Sequence, residues 1–132
     1  MSTSVQSVFY VNLVPNGGFE QGFSGWRGLW TREPNVGQAT LDMQVRHSGA
    51  YSARIEHRGT KDWSFNPDVL TMVKLGDLFE LRAWVMIQGE GEVTLCATTY
   101  DVKGQVLQWS FAGRTVKGPK DWCNIYCRMV IP

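Results

Sequence analysis

Long apolar runs, clustered charge and paired cysteines are all scarce in this sequence, and each scarcity removes a class of protein. No stretch approaches the roughly 20 apolar residues that cross a bilayer as a helix; the longest candidate, Leu81 to Ile87, is interrupted by Arg82. The opening Met-Ser-Thr-Ser-Val-Gln-Ser has neither the basic start nor the apolar core of a secretion leader. The net charge is only +1, with acidic and basic residues scattered singly. That leaves no basic face for nucleic acid and no polybasic patch for an anionic membrane. The three cysteines, Cys96, Cys123 and Cys127, are too few for a disulfide scaffold. Cys123 and Cys127 are four apart on one strand face, about 13 Å at the usual strand rise, and cannot bond each other. Cys96 could bridge to one of them across strands; buried free thiols are the plainer reading.

Catalytic signatures are missing too. There is no Gly-x-Ser-x-Gly elbow, phosphate loop or zincin helix. His47 and His57 have no zinc-ligand spacing. Glu90 and Glu92 flank Gly91 in what reads as a solvated turn, where nothing would tune either carboxyl for glycoside cleavage. The chain is not expected to be an enzyme.

What is present is a period of two. Ala39, Leu41, Met43 and Val45 alternate with polar neighbours, as do Tyr51, Ala53, Ile55 and His57. The same holds for Phe79 to Ile87, Val93 to Thr99 and Cys123 to Ile131. Turn chemistry separates these runs at Pro15-Asn16-Gly17-Gly18, His47-Ser48-Gly49, Leu75-Gly76-Asp77, Gly89-Glu90-Gly91, Lys103-Gly104 and Gly118-Pro119. No amphipathic helix competes. The pattern predicts an all-β chain folded as a two-sheet antiparallel β-sandwich.

The segment Asn12-Leu13-Val14-Pro15-Asn16-Gly17-Gly18-Phe19-Glu20, followed by Gly25-Trp26, is the most specific feature. After it come His47-Ser48-Gly49-Ala50-Tyr51-Ser52-Ala53-Arg54-Ile55, then Leu75 to Val85, then Trp122 to Pro132. In this order the four pieces resemble carbohydrate-binding modules of the family 4, 9 and 22 type. The resemblance implies a jelly roll over residues 12–132, a polysaccharide or cell-surface glycan as partner, a groove on the concave sheet, and a structural calcium ion near the N-terminal loop. Arg27, Trp63 and Tyr100 are the nearest matches to the groove residues of xylan-binding relatives, and Glu20 is the nearest calcium ligand.

The residues themselves extend that set. Six tryptophans offer flat faces that match the C–H faces of sugar rings. Trp63 sits in a polar context; Trp84 shares a strand face with Arg82, and Tyr126 shares one with Asn124 and Arg128. These faces read either as a groove floor or as a surface packed on a neighbouring subunit. Trp26 and Trp122 read as core, and Arg54 beside Glu56 as an ion pair. Binding through such a floor would be modest and insensitive to salt.

Two departures from the resemblance carry a second expectation. Relatives continue past the position of Pro132 with further strand, while residues 1–11, with Val5, Val8, Phe9 and Val11 spaced by polar residues, read as an additional one. A sheet short of a strand exposes unpaired backbone groups. The extension could fill that gap in its own chain or in a neighbour, as in donor-strand complementation. The alternative function is therefore a structural subunit of a self-assembling surface filament, tube or virion. Either reading places the protein outside the cell or at a surface.

Overall fold

The computed structural model describes residues 12–132. The strand expected over residues 1–11, and the sheet complementation built on it, lie outside the described residues. Among the described residues every regular element is a strand. In chain order these are β1 (Trp30–Thr31), β2 (Gly37–Asp42), β3 (Ser52–His57), β4 (Trp63–Ser64), β5 (Leu78–Ile87), β6 (Glu92–Tyr100), β7 (Val106–Lys117) and β8 (Lys120–Val130). They pair antiparallel as β1–β4, β2–β3, β5–β8 and β6–β7, the make-up expected of the β-sandwich class. The chain forms two compact units, the first ending at Thr71 and the second spanning Met72–Pro132.

The first unit is organised by a short polar side chain. Asn16 has φ 51°, a conformation asparagine tolerates better than most residues. Its amide nitrogen donates to the carbonyls of Gly22 and Ser24, both at 2.9 Å, and its amide oxygen accepts the N–H of Gln21 at 3.0 Å. Its own carbonyl accepts the indole N–H of Trp26 at 3.0 Å. The loop thus wraps an aromatic cluster in which Trp26 stacks on Phe65 at 5.0 Å and lies 4.8 Å from Phe19. Phe23 closes on Phe65 edge-on at 5.7 Å. Trp26 is half-buried there.

The β2–β3 hairpin sets Ala39 against Ile55 and Leu41 against Ala53 on one face, with Thr40 against Arg54 on the other. Alternation had suggested that β2 runs on to Val45, but the strand ends at Asp42. The Asp42 carboxylate accepts the N–H groups of Gln44 and Val45 at 2.8 and 2.9 Å, turning the backbone away from the ladder.

The second unit is one long ribbon, bent. β5 does not pair with β6 across the Gly89-Glu90-Gly91 turn; it pairs with β8, and β6 pairs with β7. The ladder carries on through the bend by a bond from the Gly118 N–H to the Gly91 carbonyl at 2.8 Å. The tip of the ribbon is the Asp101–Gln105 turn, where the Asp101 carboxylate accepts the N–H groups of Lys103 and Gln105, both at 2.9 Å. On β5–β8, Phe79, Leu81, Ala83 and Val85 face Met129, Cys127, Ile125 and Cys123. Ile125 and Met129 are the most buried apolar residues described, so the inner face of β8 is the deepest part of the core. All three cysteines are free and half-buried, and burial pushes the Cys127 thiol above its ordinary value.

Candidate functional site

Period-two alternation puts the even-numbered residues from Leu78 to Trp84 on β5 and from Asn124 to Val130 on β8 on the face opposite that apolar row, before the register slips between Val85 and Ile87. The register sets Glu80 directly across from Arg128, Arg82 across from Tyr126, and Trp84 across from Asn124. Trp84 is 50% exposed and Tyr126 49% exposed. Two flat side chains and a set of hydrogen-bonding groups therefore share one outward surface, with partners on adjacent strands close enough to act together.

The polar groups there are ordered by charge. Glu80, whose side chain is 11% exposed, pairs with Arg82 and lies 3.4 Å from the Nε of Arg128. The hydrogen bond from Arg82 is the main reason its carboxyl stands below the usual carboxylate range; the charges of Arg82 and Arg128 act in the same direction, against some desolvation. The two arginines keep 66% and 65% of their side-chain surface open.

β7 adds a third guanidinium. The Nε of Arg114 donates to the carbonyl of Tyr126 at 3.3 Å. Two adjoining open hollows follow the β7–β8 boundary. One is lined by Ala112, Gly113, Arg114, Tyr126, Cys127 and Arg128, and Arg114, Tyr126 and Asn124 also line the other. Arg114 was not among the residues the sequence singled out. Its strand has no clean alternation, so its side could not be read without the register.

Of the other expected site residues, Tyr100 shares the second unit with this cluster but is not brought into it by the register. Tyr100 ends β6 opposite Val106, near the ribbon tip. Val106 is eight residues from Arg114 along β7, roughly 25 Å of strand. Arg27 and Trp63 belong to the first unit. Arg27 is held by Asp68 at 3.2 Å. Trp63 is half-buried, with its ring 6.5 Å from that of His57. Arg54 pairs with Glu56 at 2.9 Å and with Asp42 at 3.8 Å, the ion pair its neighbours suggested.

Glu20 bears on calcium. One of its carboxylate oxygens accepts the N–H of Ala50 at 2.8 Å. Among the described residues no three His, Cys, Asp or Glu side chains converge to hold a metal. A hard cation needs six or more oxygens, usually with several carboxylates. Such a set can also draw on backbone and amide carbonyls; Glu20 itself is placed as a brace between two loops.

Among the described residues, no helix is long and apolar enough to cross a membrane. Residues 11–128 match a family model described as a carbohydrate binding domain, of the CBM 4/9 type. No curated protein and no solved structure matches the chain.

Proposed function

The chain belongs to the carbohydrate binding domain family of the CBM 4/9 type, and from that premise we propose that it holds a glycan, without chemistry, on the outward face of β5–β8. The observation that carries this reading is the register that sets Arg82 across from Tyr126 beside Trp84, all on one exposed surface. A pyranose ring stacks its C–H face on an exposed aromatic ring, while guanidinium and amide groups at the edge bond its hydroxyls. Arg82, Arg114, Arg128 and Asn124 are those groups here. The reading also implies a place of work where glycans are displayed, outside the cell or at its surface.

Glu90 and Glu92 are exposed at the ribbon bend, and Glu80 is engaged by two arginines.

Affinity electrophoresis against plant and microbial polysaccharides tests the proposal. Tyr126→Ala and Trp84→Ala should each weaken retardation at least tenfold, which is about 1.4 kcal/mol. Trp30→Ala is the control, since Trp30 is 47% exposed in the first unit, beside Arg32. If Trp30→Ala loses binding while Tyr126→Ala keeps it, the β5–β8 face is not the site. Trp63→Ala measures separately what the first unit contributes.

A further inference from the structure

We propose that the glycan taken by the β5–β8 face is anionic, carrying carboxylates of the uronate kind. This rests on the sugar-binding reading above and names the chemistry of its ligand. Three guanidinium groups surround Tyr126: Arg82 across the ladder, Arg128 two residues along β8, and Arg114 on the neighbouring strand. Among the described residues, the outward face of β5–β8 has one carboxylate, Glu80, and it is shared between Arg82 and Arg128. Arg114 has no carboxylate partner among the described residues; its one bond is to a neutral carbonyl. The surface around the ring therefore carries an excess of two positive charges.

A neutral sugar does not use that excess. Guanidinium groups hydrogen-bond hydroxyls, but covering an uncompensated cation with a neutral ring costs solvation that the hydroxyls only partly replace. A carboxylate fits the planar fork of arginine with two parallel charge-assisted bonds. The geometry suits a uronate in particular, because that sugar joins an apolar ring face to a carboxylate at its edge. The ring would lie on Tyr126, with its carboxylate toward Arg114 and Arg128, the two arginines that line the hollow with it. Each exposed ion pair is worth little alone, so the effect depends on a polymer repeating the charge. Binding would weaken with salt, against the salt-insensitive affinity expected of an uncharged ligand.

The test uses the full chain and isothermal titration calorimetry with polygalacturonate, alginate and glucuronoxylan, each beside its carboxyl-reduced form, and with dextran sulfate. At least one carboxylated polymer should bind tenfold or more tightly than its reduced form, and should weaken severalfold between about 50 and 300 mM salt. Arg114→Gln and Arg128→Gln should each weaken that binding about three- to tenfold with far-ultraviolet circular dichroism unchanged; Arg114→Gln should also leave the melting temperature unchanged, while Arg128→Gln gives up one hold on Glu80. Equal binding of acid and reduced forms overturns the anionic ligand and leaves the sugar-binding reading standing. Dextran sulfate binding as tightly as every carboxylated polymer also overturns it, as adsorption to any polyanion. No binding to any polymer, neutral ones included, overturns both.

Discussion

Two side chains, Asn16 and Glu20, explain why the opening motif is so specific. Asn16 ties three backbone groups and an indole into one loop. Glu20 reaches thirty residues ahead to the N–H of Ala50, so the first two of the four sequence pieces are one structural device. Gly49 completes it. It has φ +67°, and a Cβ there would lie 1.8 Å from a Glu20 carboxylate oxygen. Gly49→Ala must both strain the backbone and displace the brace, and should cost roughly 1–3 kcal/mol in chemical denaturation. A cost below about 0.5 kcal/mol would contradict the brace. The same placement of Glu20 predicts that calcium and EDTA leave the thermal midpoint unchanged, which differential scanning fluorimetry checks directly. A rise of several degrees with calcium would put a metal at this loop instead.

At the scale of the element, the bend of the second ribbon is a steric device. A Cβ on Gly118 would lie 2.4 Å from the Gly89 carbonyl oxygen and from a methyl of Ile87, while one on Gly91 meets nothing within 4 Å. Gly118→Ala should destabilise by about 1–3 kcal/mol and Gly91→Ala by no more than about 0.5. Equal effects would mean the bend is not where the ladder turns. The strands themselves were largely legible: β3, β5, β6 and β8 follow two-residue alternation, and their turns carry glycine. β7 was not, for a physical reason. Its pairing with β6 slips three times between Leu95 and Tyr100, and Ala112 sits at φ 56°. Each bulge inserts a residue and reverses which side chains face inward, so no period survives in Leu107-Gln108-Trp109-Ser110. Arg114 was lost with it. On β5 and β8, where alternation holds, Arg82, Trp84 and Tyr126 could be assigned to one face of each strand, but only the register brings the two faces together.

For the molecule as a whole, stability and recognition both depend on ionised carboxylates held by donors. Backbone N–H groups of Lys61 and Thr60 lower the pKa of Glu33; those of Val45 and Gln44 lower that of Asp42. Arg32 lowers Asp62, and Arg82 lowers Glu80. A carboxylate whose folded pKa is depressed stabilises the fold fully above its unfolded value of about 4, and that contribution is lost as pH falls through the folded value. The melting temperature should therefore be level from neutrality to about pH 5 and fall below about pH 4. A midpoint that rises on acidification would contradict these pairings.

Carbohydrate recognition by the β5–β8 face is tested most directly by mapping where a bound glycan touches the chain. In a titration followed by amide chemical shifts, with the tightest polysaccharide fragment from the binding panel, the account predicts the largest changes at Arg82, Trp84, Arg114, Tyr126 and Arg128. Saturating shifts confined to the first unit, around Arg27 and Trp63, with the β5–β8 amides unmoved, would contradict it.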